Sequence, residues 1–334
     1  MKHNNIFTSD HWHKNDLSSN KLIIVCDDEQ PSQAKFTLDI SKKFGFTTAE
    51  MAGEPIIQYN DIADIGKADI NQCQTKLTKQ FKASCIDLLH FRNVKVNGNL
   101  YKLIQNISTI IAKKNAPYID LEQLNNIDDY LKTMSSSTRK SRRRTQKKLN
   151  ANYDVNFQIL TNEDIDATIV DDIIKMKNNQ LALQGMTSRL FMNPVKLQSL
   201  KNIITTPNDT FKCIISTLKC DGVLAAAEIG FLHQSVYYSF LGAMNEQYKS
   251  YSPGSCQLLK TIEWAIDNGV EKFDLLAPED HYKTSWSNNH VDEVVDLILP
   301  LTLKGNIWGN LFLKTLRPML KNAYFLVKNT LKKS

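Results

Sequence analysis

The side chains best placed to do chemistry fall between Val223 and Trp286. Glu228 lies in Ala225-Ala226-Ala227-Glu228-Ile229-Gly230, a carboxylate inside an apolar strand pattern. Pointing inward, it would lose solvent, its pKa would rise, and it would suit general-base work. Pointing outward, it is one polar residue on a solvated face. Further on, Lys249-Ser250-Tyr251-Ser252-Pro253-Gly254-Ser255 follows a strand and opens a helix. Ser252 suits the N-cap and Pro253 the first helical position. Gly254 lets a ligand approach the backbone closely. The free amides of a helix N-terminus form a ready site for pyrophosphate. The same features also describe an ordinary capped helix.

The chain that must position these groups has 334 residues and a mass of 38.1 kDa, enough for about two domains. With 42% hydrophobic and 23% charged residues, 12 Gly and 9 Pro, wholesale disorder is excluded. No apolar run approaches the ~20 residues of a membrane span. The opening MKHNNIFTSDHWHKND lacks the apolar stretch of a signal peptide. A cytoplasmic protein is expected, with a peripheral place on the inner face of the membrane as the variant of that reading. Cys26, Cys73, Cys85, Cys213, Cys220 and Cys256 are scattered and form no CxxC pair, so they read as small buried hydrophobes and no metal is expected.

The net charge of +6 is unevenly spread. Arg139, Lys140, Arg142, Arg143, Arg144, Lys147 and Lys148 form one acid-free run. Lys314, Arg317, Lys321, Lys328, Lys332 and Lys333 form another. Localised positive charge points to an anionic partner: a phosphate-bearing cofactor, anionic lipid, nucleic acid or an acidic glycan. Nucleic acid is disfavoured, because no helix-turn-helix, zinc-finger or RNP aromatic signature accompanies the run. A solvated helix face explains the first run equally well.

The hydropathy pattern predicts a buried strand over 21–26, a helix over 32–44 ended by Gly45, a helix over 69–82 and a strand over 85–91. An extended stretch over 116–121 leads into a helix that closes over 128–134. Ser135, Ser136 and Ser137 offer N-cap oxygens to a basic helix reaching about Asn150. A strand over 153–160 and helices over 165–183 and 194–204 follow. Three strands come next, over 211–218, 223–232 and 235–244, with Asp221-Gly222 at the first turn. Then come a helix over 255–268 ended by Gly269, strands over 272–276 and 290–299, and a long helix over 305–331 that Pro318 would break or bend. This order is α+β rather than strict βα alternation.

Strand, loop, helix and strand, with Lys249-x-x-Ser252-Pro253-Gly254 in the loop, resembles the way the GNAT acyltransferase superfamily holds the pyrophosphate of acyl-CoA. Lys stands there for Gln or Arg, and Ser for the first Gly. The larger block is similar to the FemAB-like branch and within it to the CelD type linked to cellulose and exopolysaccharide synthesis. It runs through Tyr251-Ser252-Pro253-Gly254, Glu263 and Ala265, Asn268-Gly269, Phe273-Asp274-Leu275-Leu276 and Tyr282-Lys283-x-x-Trp286. Ile119-Asp120-Leu121, Tyr130-Leu131, Ser135-Ser136 and the Arg-rich helix resemble the segment before the second GNAT-like domain of that branch.

The resemblance implies two GNAT-like domains with mixed, mostly antiparallel sheets flanked by helices. The expected boundaries are a degenerate domain over 1–134, an acyltransferase domain over 135–303 and a basic amphipathic helix over 304–334. It implies acyl transfer from acyl-CoA, acetyl-CoA foremost, to an amine or hydroxyl of an envelope or exopolysaccharide precursor. Lys249, Tyr251, Ser252, Pro253, Gly254 and Ser255 would bind the cofactor. Asp274, Tyr282, Lys283 and Glu228 would be catalytic. Asp274 would act as base or as partner of Lys283, against a purely structural hydrogen bond. Lys283 would stabilise an oxyanion, and Tyr282 would protonate the leaving thiolate. Trp286 reads as packing, and His281 is not a residue the family pattern supplies. Aminoacyl transfer from charged tRNA and an inactive scaffold of a polysaccharide-synthesis complex are the alternatives. Phe312, Leu316, Met319, Ala323, Val327 and Leu331 follow helical spacing between Lys and Arg, which suits docking on the domain or on an anionic membrane.

Overall fold

A computed structural model describes residues 5–18, 21–25, 35–43, 45–63, 69–320 and 323. In chain order its elements begin with α1 (Asp10–Asn15), β1 (Lys21–Val25), β2 (Lys35–Lys43), β3 (Phe46–Met51), α2 (Ile70–Ala83), β4 (Leu88–Lys95), α3 (Asn99–Ile104) and β5 (Thr109–Asp120). There follow α4 (Ile127–Thr133), α5 (Ser136–Asn150), β6 (Val155–Thr161), α6 (Ala167–Leu183) and α7 (Pro194–Thr205). The strands β7 (Lys212–Cys220), β8 (Val223–His233) and β9 (Val236–Met244) lead to α8 (Pro253–Asp267), β10 (Lys272–Asp274), α9 (His281–Ser287) and β11 (Val291–Pro300). Last is α10 (Leu303–Asn306), which runs on as a π-helical stretch over Ile307–Leu316.

Two compact units divide this chain. A terminal unit gathers Phe7–His13, Ser18–Lys114 and Glu293–Ser334, and a central unit gathers Met1–Ile6, Lys14–Leu17 and Asn115–Asp292. The fold is α+β with mostly antiparallel strands, as the sequence pattern implied. Both units repeat one order. Three antiparallel strands are followed by a helix and by a strand parallel to the third over three residue pairs.

In the terminal unit the strand order is β1-β2-β3-β4-β11. The parallel pairs are Thr48↔Leu88, Ala49↔Leu89 and Glu50↔His90. Where a helix was expected over 32–44, residues 35–43 form β2, and 32–34 and 44 lie outside the described residues. Phe36, Leu38 and Ile40 alternate with Thr37, Asp39 and Ser41, the period of a half-buried strand. Phe36 packs edge-on against Phe81 of α2 at 5.8 Å, with Phe91 at 6.2 Å.

The opposite set of side chains on this sheet is polar. Arg92 holds Glu50 at 2.7 Å and Glu54 at 3.4 Å, and lies 3.0 Å from His90 Nδ1. A guanidinium only donates, so Nδ1 accepts and the ring proton sits on Nε2. Burial first, and the Arg92 charge second, push the His90 pKa down to about 3. The unfolded chain takes up this proton near pH 6.5 while the folded one refuses it until about 3. Stability should therefore fall by roughly 1.4 kcal/mol per pH unit as acid is added below that unfolded value. Urea unfolding across that range should show this slope in the parent chain and lose it in His90→Asn.

The central unit has the strand order β5-β10-β9-β8-β7-β6. Asp221 and Gly222 both take positive φ in the tight turn between β7 and β8, as an Asp-Gly hairpin requires. α8 packs on β7, β8 and β9, with α4 and α5 against α8, while α6 packs on β9. The core beneath α8 joins Leu258, Ile262 and Ile266 to Tyr130, Tyr237, Phe273 and Trp286.

Two further expectations change. The helix after 121 starts only at Ile127, where the Asn126 side chain caps it. At the other end the helix passes Pro318 without a break up to Leu320. The π-helical ladder ahead of it, with Arg317 N–H bonded five residues back to Phe312 O, relieves the crowding a proline ring meets in an α-helix. Ala323 is the one residue described beyond that, and Val327 and Leu331 lie outside the described residues.

Candidate functional site

β9 ends at Met244, and Asn245 caps a short 3₁₀ helix over Glu246–Tyr251. Ser252 then adopts left-handed geometry (φ 51°, ψ 52°), and Pro253 starts α8. The Ser252 hydroxyl makes no capping bond, contrary to its expected N-cap role, because the left-handed turn aims it elsewhere. Its carbonyl accepts from the amides of Ser255 and Cys256. A Cβ built on Gly254 meets nothing within 4 Å, so the first turn of α8 opens onto free space. The loop is held from below by aromatic edges. Tyr153 meets Tyr248 at 5.2 Å and Tyr251 at 5.0 Å.

Positive charge from α5 converges on this turn. Lys148 Nζ donates to Ser250 O at 3.0 Å and lies 4.8 Å above the Tyr251 ring. Arg142 stacks 3.6 Å over the Trp286 ring and donates to Ser285 Oγ at 2.9 Å. Burial lowers its pKa, and its Nε is buried without a hydrogen-bond partner. Arg143 instead faces outward to Asp128, so the basic helix is part solvated face and part wall of the site. Lys249, assigned to the cofactor by resemblance, is exposed and pairs with Glu246 at 3.1 Å.

The equivalent helix of the terminal unit differs where it matters. Asp69 caps α2 with its own carboxylate, accepting from Asn71 N at 2.8 Å and Gln72 N at 3.5 Å. That helix end already carries a negative charge.

Next to α8, the parallel pairing of β9 with β10 covers only Val236–Tyr238. β10 ends at Asp274, whereas β9 continues to Met244. β9 also bulges: Ser239 lies opposite Gly230 and Leu241 opposite Ile229, leaving Phe240 unmatched. The two strands part where the bulge disturbs the ladder, so past Tyr238 β9 pairs only with β8 among the described residues.

Glu228 points inward and is buried. It accepts from Tyr237 Oη at 2.8 Å and Ser239 Oγ at 2.7 Å. Burial raises its pKa even though both hydroxyls favour the carboxylate. Gly230 is required beside it, since a side chain there would run into the Tyr237 phenol. Tyr282 of α9 is 47% exposed as a residue. Its phenol is nonetheless pushed up, by desolvation first and by the Glu228 charge second.

Asp274 is buried and accepts Leu276 N–H at 2.9 Å, closing a turn in which Leu276 has φ 62°. Lys283 Nζ donates to Leu276 O at 2.8 Å and to Pro278 O at 3.1 Å. Burial lowers the Lys283 pKa, opposed by Asp280 and Asp274 and reinforced by nearby Lys177. Lys177, on α6, is itself lowered by burial. Trp286 is fully buried, and its carbonyl accepts from Tyr130 Oη at 2.7 Å. His281 is exposed at the start of α9. The neighbours Tyr282 and Lys283 thus belong to two small clusters, one around Glu228 and one around Asp274. Among the described residues no group of three His, Cys, Asp or Glu is placed to hold a metal, and no helix is long and apolar enough to cross a membrane.

Comparison with known proteins fits this geometry. Residues 136–284 match the family described as acetyltransferase (GNAT) domain. The chain carries a GNAT domain. A comparison with curated proteins returns no match. Among solved structures, the crystal structure of FemX superposes with a TM-score of 0.61 at 9% identity, covering 93% of this chain and 95% of that one. The structure of L-PGS from Bacillus licheniformis gives 0.58 at 9% identity, covering 90% and 89%. A conserved protein of unknown function from Bacteroides thetaiotaomicron gives 0.55 at 9% identity, covering 88% and 90%. At such identities the likeness is one of fold.

Three residues of the site, Tyr237, Ser239 and Lys177, were not singled out from the sequence, and Arg142 was named only as one cation of the basic run. Tyr237 and Ser239 had a usable signal: they sit two apart on β9 and so share the face that Glu228 occupies on β8. Arg142 and Lys177 had none, because one arginine in a basic run and one lysine in a helix look like their neighbours.

Proposed function

We propose that the central unit transfers an acyl group from acyl-CoA to an amine or hydroxyl of an envelope or exopolysaccharide precursor. The observation that carries the donor is the parted β9–β10 pair leading to an open α8 N-terminus, with Arg142 and Lys148 beside it. The first-turn amide at Gly254 binds the pyrophosphate, helped by the helix dipole, while the Ser255 amide is held by the Ser252 carbonyl. The pantetheine arm then lies along the exposed edge of β9. Backbone amide at the Phe240 bulge polarises the thioester carbonyl as it becomes an oxyanion. The acceptor is the finer part of the reading and rests on the CelD-type resemblance.

In the reaction the nucleophile's nitrogen or oxygen forms a bond to the acyl carbon and the carbon–sulfur bond breaks. The nucleophile's proton passes to Glu228, whose raised affinity for a proton suits a base. Tyr282, held in its neutral form by its raised pKa, gives a proton to the leaving thiolate. Asp274 and Lys283 have a positioning role here. They fasten the Leu276–Pro278 backbone that carries the chain from β10 into α9. Tyr251 and Pro253 fix the loop, and Lys249 contributes only long-range charge.

Calorimetric titration of the chain with acetyl-CoA, with a long-chain acyl-CoA and with a charged tRNA tests the donor. Saturable binding of a thioester is expected. Binding of the tRNA alone would replace the donor by an aminoacyl-tRNA, and binding of none of the three would leave a scaffold.

A further inference from the structure

The helix that begins at Leu303 is mounted the wrong way round for a helix whose apolar residues serve only its own domain. Thr302 caps it and donates to Asp87 Oδ1 at 2.7 Å. The face turned to the terminal unit is made of glycine and aromatic residues. A side chain at Gly305 would run into the Asp87 carbonyl, and Gly309 lies against Leu88 and Ile298. Trp308 stacks on Phe46 at 4.8 Å and on Phe312 at 4.2 Å. These contacts satisfy the docking.

Leu313 turns inward beside Trp308 and Leu88, but the other described leucines of the helix face outward. Leu303, Ile307, Leu311, Leu316, Met319 and Leu320 are all exposed, from 41% at Leu316 to 83% at Leu303. Leu303, Ile307, Leu311, Leu316 and Leu320 are spaced by four or five residues, about one turn of a π-helical ladder, so they line up as one stripe. Such a stripe is larger than the scattered apolar residues of a normal surface. The cations of the segment are Lys304, Lys314 and Arg317, all exposed, and the sequence beyond adds Lys321, Lys328, Lys332 and Lys333. No Asp or Glu occurs from 303 to 334.

We infer that this helix is a docking surface for an anionic lipid bilayer. Charge selects the occupant. A second copy of the chain would bring two acid-free basic segments together, which like-charge repulsion opposes. A negatively charged membrane surface attracts every cation of the segment and takes the leucine stripe into its headgroup–acyl boundary. The inference does not depend on the acyl-transfer reading, because no residue of the cleft takes part.

The test is flotation of the full chain with vesicles of phosphatidylcholine alone and of phosphatidylcholine mixed with phosphatidylglycerol. The parent should float with the anionic vesicles only, and less so as salt rises. A triple change Ile307→Gln, Leu311→Gln, Leu316→Gln should weaken flotation about tenfold or more through lost apolar burial. Lys304→Gln, Lys314→Gln, Arg317→Gln should do so through lost attraction, at about fivefold per cation. All six positions are exposed, so thermal midpoints should match the parent. The inference is overturned if the chain ignores anionic vesicles, or if both triple variants float like the parent. It is also overturned if sedimentation shows an oligomer that the apolar triple change converts to monomer, which would assign the stripe to a second copy.

Discussion

Gly254→Glu should abolish acyl-CoA binding while leaving the fold intact or slightly firmer. The two effects have different origins. A Cβ at Gly254 meets nothing within 4 Å, and the residue needs no left-handed backbone, so the side chain enters without strain. A carboxylate in the first turn of α8 also interacts favourably with the helix dipole. Helix stability should therefore be kept. The same carboxylate stands where a pyrophosphate would rest, and adds a like charge within a few ångströms of it. At such separations near a protein surface the repulsion is on the order of a few kcal/mol, a loss of on the order of a hundredfold or more in affinity. Calorimetry with acetyl-CoA should show no heat in the variant, and circular dichroism should show an unchanged or raised thermal midpoint. Equal binding by parent and variant would remove the pyrophosphate from this helix end.

The molecule supplies its own precedent for that substitution. α2 occupies the same place in the terminal unit as α8 in the central one, after three antiparallel strands and before a parallel one. Its N-terminus is closed by the Asp69 carboxylate. One helix end is sealed with a negative charge and the other is left open beside Arg142 and Lys148. This contrast bears on the expectation that only one of the two units takes a donor. It also concentrates the donor-binding reading on one unit.

How much of this was legible beforehand depended on whether the signal was local. The Asp221-Gly222 turn, the α8 start at Pro253 and the Ser135 cap follow from the chemistry of one to four adjacent residues, and the sequence pattern locates them. A helix ended by Gly45 is expected over 32–44, where residues 35–43 form β2. Its period-2 alternation of Phe36, Leu38 and Ile40 was the stronger evidence. Ser252 has the right residue type for a cap, yet its left-handed backbone is set by the loop and not by its own preferences. The direction of Glu228 was undecidable from its apolar neighbours alone. It became fixed only by Tyr237 and Ser239 across the hairpin. Arg142 is the extreme case. Seven cations in ten residues gave no means of choosing the one that turns in to stack on Trp286, which lies far along the chain.

Glu228→Gln should separate catalysis from stability in the opposite sense to a core mutation. Burial raises the pKa of Glu228 above its unfolded value of 4.5. The folded state therefore binds this proton more tightly than the unfolded one. Its ionisation costs folding free energy as pH rises through and beyond that value. A neutral amide of the same size removes this cost and still offers an oxygen to one of the two hydroxyls. At neutral pH the variant should be as stable as the parent or more so, and the difference should vanish toward acid. Turnover should move the other way. Loss of a positioned general base costs about a hundredfold to ten thousandfold in kcat/KM. The acid limb of the pH–rate profile, which reports ionisation of the base, should disappear with it. A stable variant with parental turnover and an unchanged profile would assign the proton transfer to another group. The phenol of Tyr282, which the Glu228 charge helps hold in its neutral form, would then be relieved of part of its upward shift with no loss of rate.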